Sequence, residues 1–548
     1  MASWERPTRP TLDERWSVPP HDNDAVKTDE SLTGPDGSLL YVVRPAPEVA
    51  IKAPATRTAF RKRLKSNVGD ALKRWGLRVE VRSLYGRMMV RVHPDGEAVE
   101  AVAGRAHEAL AHVFGVGSFS PAEGHCHADL ATIVATGTEL FAERVRGRRY
   151  AVRCKRTGGH AFGSMDVERG LGAALNDGAT VDLSDPEVTV SVEVSGTRAV
   201  FFSERIPGPG GLPLGTGGRA LALLSGGYDS VVAAWYVMKR GVEVDFLHCR
   251  MGGAASERLA LQIAKVLSDG WAAGSRPDFY AVDFGPVVED LQASARPSYW
   301  QVVLKRQMLR AGETLADRIE RELTARARER SERRRPATVD ALVTGEALAQ
   351  VSSQTLSNLR SIDGAAERPV LRPLAGLDKL EIIRAAEHIG TAALSAQVRE
   401  FCGITPGHPV TSSRRDEVVR QEAGLDLEAL RVAVAETPRR PLRALKPADL
   451  MLPYLYVETV PDGAVLLDCR DETRWRAWHP EGAVHAPLPG LLGRLRELDK
   501  DPTYVLVCRF GTRSAQAAEV MQQAGFEAYS LRGGERALRA PSEARATG

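Results

Sequence analysis

Apolar residues recur at helical spacing through Arg57–Gly76, where Phe60, Leu64, Val68 and Leu72 share one face. The preceding SLLYVVRPAPEVAIKA reads as a strand running into a loop, and LRVEVRSLYGRMMVRVH alternates as a hairpin. AVEAVAGRAHEALAHVFG then returns to helical spacing. Strand, helix, strand, strand, helix is the order of a ferredoxin-like split unit, predicted to occupy 38–118. A second small α/β unit is predicted over 119–206. It holds a helix at Asp129–Val145, a strand RRYAVRCKRTG expected at the sheet edge, a helix SMDVERGLGAALND and a strand pair EVTVSVEVSGTRAVFFSERI. Pro207–Gly218 is a Gly/Pro stretch and reads as a linker. From Arg219 apolar strands alternate with amphipathic helices, which predicts a doubly wound parallel sheet within 207–434. The Pro- and Arg-rich Ala435–Asp449 reads as a second linker, and 450–548 as a compact fourth α/β domain built on AVLLDCRD and TYVLVCRF. Residues 1–37 show little periodicity and are expected to form a disordered extension.

The overall prediction is a multidomain α/β protein, and 548 residues are too many for a single core. A content of 43% hydrophobic and 26% charged residues is ordinary for a water-soluble chain. No apolar run approaches the roughly 20 residues that span a bilayer. The first residues, MASWERPTRPTLDERW, lack the apolar core of a secretory signal, so a cytoplasmic location is expected.

The net charge of +3 conceals local patches. Arg144–Arg156 carries seven cations and no acid: Arg144, Arg146, Arg148, Arg149, Arg153, Lys155 and Arg156. That composition suits a polyanion such as RNA. Arg326–Arg335 is also basic but includes two glutamates, and a solvated face explains it better. Six scattered cysteines make no disulfide framework, so each is a small core residue or a reagent.

One short stretch carries distinct chemistry. Ser225-Gly226-Gly227-Tyr228-Asp229-Ser230 follows a buried strand and opens a helix, leaving backbone N–H groups aimed at an anion. The glycines allow close approach, and the Ser225 and Ser230 hydroxyls can donate. Asp229 beside a phosphate calls for a bridging cation such as Mg²⁺. No Gly-Lys-Ser/Thr follows, so this is not a Walker loop. SGGxDS resembles the loop of ATP pyrophosphatases, enzymes that adenylate a carbonyl oxygen.

Further stretches extend the likeness. VLKRQMLRA, ALVTGEALAQVSSQTLSNLRSID, LRPLAGLDKLEIIRAAEHIGT and, upstream, RCKRTGGHAFGSMDVERGLGAALN resemble the ThiI-type tRNA 4-thiouridine synthetase family, the last of them its THUMP segment. The likeness runs from about Glu48 to Arg536 and leaves out the N-terminal extension and the Arg-rich segment before Pro336. It implies a ferredoxin-like unit, a THUMP RNA-binding domain, an ATP-loop domain and a rhodanese-like domain. It also implies nucleotide contacts at Leu223, Leu224, Ser225, Gly226, Gly227, Ser230, His248, Cys249, Lys305, Gly345 and Gln354. Leu223 and Leu224 equally suit plain strand core, and Lys305 a surface helix. Ala349 departs from the family, which usually shows glycine there.

The cysteines divide on the same resemblance. Cys508 in VLVCRFGTRSAQAAEVM resembles a rhodanese active loop, Cys508 through Arg513, with Ser514 opening the helix. Backbone amides, a helix N-terminus and arginines there would favour an anionic persulfide. LLDCRDETRWRAWHPEGAVHAPL matches the rhodanese first half, with Asp468, Arg470, Gly482 and Ala483 in place, and leaves Cys469 as a buried strand residue. Cys402 in VREFCGITPGHP resembles the family's second catalytic cysteine. Cys126 lies between His125 and His127, but neighbours on a strand point to opposite faces and no second ligand pair appears, so no metal site is expected. Cys154 reads as structural.

The implied function is ATP-dependent sulfur transfer to a tRNA uridine. Catalysis would fall to Asp229, Cys402 and Cys508, with ATP and Mg²⁺ as cofactors and tRNA and a persulfide-donating cysteine desulfurase as partners. A homodimer is left open. Two other classes stay open at this point. One is a sulfur carrier feeding thiamine thiazole synthesis, with a thiamine sulfur-carrier protein as partner. The other is a non-catalytic RNA-binding protein.

Overall fold

The computed structural model describes residues 37–84, 86–251, 253–329, 338–398, 408–450, 452–470, 472–508 and 511–539. The expected 1–37 extension falls outside them except for Gly37, and so does the 399–407 stretch with Cys402.

Alternation in the first unit closes a sheet of order β10-β4-β1-β3-β2, with β10 at Ile206–Pro207. Its elements are β1 (Leu39–Pro45), α1 (Pro54–Arg74), β2 (Arg78–Leu84), β3 (Arg87–His93), α2 (Val99–Ala111) and β4 (Val116–Pro121). Leu64, Val68 and Leu72 of α1 are fully buried against Val90 and Val92, whereas Phe60 is only half-buried. The expected boundary near Ser118 cuts through β4, which pairs with β1 antiparallel. Its sequence VGSFSP is short and built largely of small residues, so alternation does not betray it.

The second unit comprises β5 (Gly124–His127), α3 (Leu130–Val145), β6 (Arg149–Thr157), α4 (Ser164–Leu175), β7 (Thr180–Val181), β8 (Val188–Ser195) and β9 (Arg198–Phe202). Asp129 caps α3 by accepting from the Thr132 amide at 2.9 Å. Its sheet runs β5-β9-β8-β6-β7, so the basic β6 is not the outermost strand: β7 pairs with Arg149 and Tyr150 at its start.

The expected linker Pro207–Gly218 is fastened on both sides. Its β10 (Ile206–Pro207) joins β4, and the Gly210 amide donates to Val116 O at 2.9 Å. The Leu212 amide reaches Lys239 O and the Gly215 amide reaches Gly241 O in the third unit. Asn67 and Arg63 of α1 both donate to Leu214 O, at 3.0 and 2.7 Å. Phe114 stacks on Trp271, with ring centres 5.4 Å apart, inside the third unit's core. The first and third units therefore share a core.

The third unit has the sheet order β15-β14-β11-β12-β13-β16. It is built from β11 (Arg219–Leu223), α5 (Tyr228–Lys239), β12 (Glu243–Arg250), α6 (Gly253–Trp271), β13 (Asp278–Asp283), α7 (Gly285–Ser294), α8 (Trp300–Glu329), β14 (Ala341–Val343), α9 (Leu356–Asp363), β15 (Val370–Leu371), α10 (Lys379–Ile389), α11 (Arg415–Glu422), α12 (Leu427–Glu436) and β16 (Arg440–Pro441). Strands β11 to β15 are parallel, but β16, supplied by the second expected linker, adds an antiparallel edge on β13. That linker is held by Arg439 on Asp278, by Arg440 on Glu257, and by Arg443 on Asp70 of α1 at 2.6 Å.

The fourth unit orders β17 (Tyr456–Val457), β18 (Val465–Asp468), α13 (Glu472–Ala477), β19 (Val484–His485), α14 (Leu488–Gly493), β20 (Tyr504–Val507), α15 (Thr512–Gln523), β21 (Ala528–Leu531) and α16 (Glu535–Arg539) around a parallel sheet, β17-β21-β20-β18-β19. Among the described residues no helix is long and apolar enough to cross a membrane.

Candidate nucleotide and sulfur sites

From β11 the chain winds outward through β12 and β13, then returns to place β14 on the other side of β11. Loops at such a switch point diverge and leave a crevice at the carboxyl ends of the strands. Here they enclose a cavity of about 520 Å³. It brings together Leu223, Leu224, Ser225, Gly227, Asp229, Ser230, His248, Cys249, Lys305, Gly345 and Gln354, residues the sequence scatters over some 130 positions. Gly226 lies within the same loop at φ +88°, the left-handed conformation that favours glycine.

The Ser225–Ser230 loop is tied by its own hydroxyls. Ser230 Oγ accepts from the Ser225 amide at 3.2 Å, and the two hydroxyl oxygens lie 3.1 Å apart. Ser225 Oγ also accepts from the Gly227 amide. Gly227 starts α5 with no side-chain cap, so the first amides of a 12-residue helix have no intrahelical acceptor. Those donors suit phosphate oxygens.

Opposite them lies the loop after β14. A Cβ on Gly345 would stand 2.5 Å from the Asp229 carbonyl carbon and 2.5 Å from the Ser230 nitrogen, so the two loops touch backbone to backbone. The next residue, Glu346, is a buried carboxylate missed in the sequence. It accepts from Lys305 Nζ at 2.6 Å, Arg372 Nε at 2.7 Å and Thr344 Oγ1 at 3.0 Å. Burial alone would raise its pKa, but the charges of Lys305 and Arg372 outweigh burial and hold it below the usual carboxylate range. Lys305 is therefore a partly buried cation held against a carboxylate rather than a surface helix lysine.

Asp229 has partners the sequence did not reveal: Lys379 Nζ at 2.7 Å and Gln350 Nε2 at 3.2 Å. Lys379 is the first residue of α10, fixed there by a capping box between Asp378 and Glu381. The DKLE pattern was the available signal.

His248 is buried, and because its Nδ1 meets the Leu224 carbonyl at 2.8 Å, Nδ1 carries the proton. Burial lowers its pKa, so the ring is neutral. Its Nε2 and the Oε1 of Gln354 are buried acceptors without a protein donor among the described residues. A wall with two such acceptors fits a ligand that brings N–H groups, as an adenine amino group does.

Ala349, the departure from the family pattern, adopts φ +59° while its amide donates to Gln354 O. An alanine there is strained by about 1–2 kcal/mol. We expect Ala349→Gly to stabilise the third unit by about 0.5–1 kcal/mol, net of the greater unfolded-state freedom of glycine. Urea unfolding checks this, and an unchanged or lower midpoint would refute the strain.

In the fourth unit Cys508 directly follows β20 and is buried, with 5% exposure. Its Sγ accepts from the Ser514 amide at 3.4 Å and from Ser514 Oγ at 3.3 Å, in the first turn of α15. Ser530 braces this arrangement: its Oγ meets Ser514 Oγ and donates to Gly511 O, both at 2.7 Å. The sulfur thus sits within donor reach of a backbone amide and a hydroxyl at a helix N-terminus. Arg509 and Phe510, and the side chain of Arg513, lie outside the described residues. Cys469 is buried on the neighbouring strand end, and burial pushes its thiol up, consistent with an inert core residue.

The expected cationic patch is divided. Arg149 is surrounded by Asp182, Asp185 and Glu187, Arg144 pairs with Glu123, and Arg146 pairs with Glu143. Arg149, Arg153 and Lys155 are exposed on β6, while Arg156 falls on the alternate face and bonds Gly158 O and His160. Arg148 is exposed beside them. A groove of about 610 Å³ between the first two units gathers other basic residues: Arg82, Arg87, Arg91, Arg198, His93 and His125. Arg44 and Arg87 both bind Glu193 across it.

Fold and loops together define an α/β nucleotide-loop protein carrying a cysteine-loop domain of rhodanese type. Four family matches cover the same units: the ThiI ferredoxin-like domain over residues 41–120, the THUMP domain over 127–204, thiamine biosynthesis protein (ThiI) over 215–427, and the rhodanese-like domain over 456–540. A tRNA sulfurtransferase of Pyrobaculum aerophilum is 38% identical over 437 residues, 78% of this chain and 84% of that one. One from Desulfurococcus amylolyticus is 35% identical over 507 residues, 92% and 99% of the two chains. The chain belongs to the tRNA sulfurtransferase family. Among solved structures, a 4-thiouridine synthetase–RNA complex with bound ATP aligns at TM-score 0.59 and 26% identity, covering 73% of this chain and 99% of that one.

Proposed function

We propose that the chain spends ATP to activate a tRNA uridine at O4 and replaces that oxygen with sulfur carried on Cys508. The observation that carries this reading is the contact of the SGGYDS loop with Gly345 across the switch-point cavity, which places α5 amides, Lys305 and Lys379 around one polyanion-sized space. The names of the relatives, and the ATP and RNA of the solved complex, support it.

In this reading Leu223, Leu224, His248, Cys249 and Gln354 receive the nucleoside, and the α5 amides with Ser225 and Ser230 receive phosphate. Lys305 and Lys379 balance charge as O4 attacks the α-phosphorus and pyrophosphate leaves. Asp229 would hold Mg²⁺, which would supply charge to offset the phosphates. The first two units would grip tRNA through backbone phosphates, along their shared groove and the exposed β6 cations.

The terminal sulfur of a Cys508 persulfide then attacks C4, and the C4–O4 bond breaks as AMP departs. A Cys402 thiolate attacks Sγ of Cys508. A Cys402–Cys508 disulfide forms, the bond to the transferred sulfur breaks, and its electron pair remains on that sulfur. A cellular thiol reductant reopens the disulfide. A cysteine desulfurase loads the persulfide. The thiamine biosynthesis match supports a second outlet, sulfur for thiazole through a carrier protein.

The test is a nucleoside digest of tRNA from cells lacking the protein, then restored with wild type, Cys508→Ser or Cys402→Ser. Only wild type should restore 4-thiouridine. Normal 4-thiouridine in the deletion strain would refute the proposal, and loss of thiamine-independent growth alone would favour the carrier reading.

A further inference from the structure

The first turn of α6 is shared between two sites. Ser256 lines the nucleotide cavity, while the preceding Ala255 is buried with Ala515 of α15 and with Leu455, flanked by Leu452 and Tyr456. Ala515 directly follows Ser514, the residue that holds Cys508 Sγ. One helical turn therefore has the switch-point cavity on one side and the cysteine loop's own helix on the other.

A charged contact fastens the pair. Glu519, one turn further along α15, accepts from the Ala254 amide at 2.9 Å and the Ala255 amide at 3.2 Å. These are unsatisfied donors at the positive end of a 19-residue helix, where a carboxylate is favoured. Gly253, at φ +74°, makes room for it: a Cβ there would lie 2.7 Å from Glu519 Oε2. Gln262 of α6 adds a bond to Leu450 O at 3.1 Å. A glutamate on an amphipathic helix ordinarily faces water, so its use as a cap for another domain's helix requires the two domains to be docked.

We propose that the first turn of α6 is the platform that presents Cys508 to the nucleotide cavity, with Glu519 as the positioning residue that latches the rhodanese-like domain onto it. The proposal rests on the sulfur-transfer reading above. It assigns this docked arrangement to delivery, with the short connection from Arg443 to β17 keeping the local concentration of the domain high.

The test uses the full chain, loaded at Cys508 with inorganic polysulfide. Glu519→Ala should slow single-turnover formation of 4-thiouridine about ten-fold, with tRNA-dependent pyrophosphate release within about two-fold of wild type. Glu519→Gln, which keeps one acceptor oxygen, should recover part of the loss. Hydrogen exchange of a peptide spanning 253–262 should quicken in Glu519→Ala, because its first amides lose their acceptor. Unchanged delivery in Glu519→Ala overturns the proposal, and so does a parallel loss of pyrophosphate release, which marks a collapsed nucleotide site. Should wild type release no pyrophosphate and make no 4-thiouridine, the functional reading fails, while the exchange measurement still decides whether Glu519 docks the domain.

Discussion

Cys508→Ser is expected to abolish 4-thiouridine formation while leaving tRNA-dependent pyrophosphate release within about three-fold of wild type, because loss of a covalent nucleophile costs roughly three orders of magnitude or more. A serine oxygen cannot hold a sulfane sulfur, so the carrier step has no substitute. The substitution is nearly isosteric in a pocket that already donates to the atom through Ser514, so the fold should persist. The activation step belongs to another unit, whose cavity contains no part of the cysteine loop among its described lining residues. Paired assays, radiolabelled pyrophosphate and nucleoside mass spectrometry, separate the halves. Residual 4-thiouridine above one-tenth of wild type would remove Cys508 from the transfer path.

The second large effect is expected at Gly345. Its added methyl in Gly345→Ala meets backbone atoms of Asp229 and Ser230 at 2.5 Å, and backbone cannot rotate away as a side chain can. The loops must part by several tenths of an ångström. That displaces the α5 amides relative to Lys305, and a misplacement approaching 1 Å costs about a hundred-fold in rate. Gly376→Ala provides the control, since nothing lies within 4 Å of that position. Pyrophosphate release should fall about a hundred-fold in Gly345→Ala and stay unchanged in Gly376→Ala. Wild-type rates in Gly345→Ala would show that the two loops do not jointly form the nucleotide site.

The SGGYDS loop and the cysteine loop were legible because each is a contiguous string whose chemistry is local: glycines before a helix, a thiol before a helix. The alternating α/β order was legible through periodicity. Glu346, Arg372, Lys379 and Gln350 were not, because each is a single residue whose meaning depends on which loop the sheet order sets opposite it. The cationic run was legible as composition but its distribution was not: a strand distributes successive arginines to two faces, and Asp182, Asp185 and Glu187 come from a segment some thirty residues away. The groove cations arise from separated strands and leave no run. Gly, Pro and Arg content marked both linkers in the sequence but did not show how they are held. The glycines at 210, 211, 215 and 218 adopt positive φ within hydrogen-bonded turns, and Arg439, Arg440 and Arg443 are each paired.

The ion pair between Asp70 and Arg443 joins positions 373 residues apart. At a synthesis rate of about 5–20 residues per second, α1 waits roughly 20–75 s after leaving the ribosome before its partner exists. Until Leu214 and Trp271 are made, over roughly the first half of that interval, Phe114 and the Asn67 face are without the helix and turn that cover them in the finished protein. The N-terminal unit is thus a surface for chaperones during translation and a committed half of a joint core afterwards.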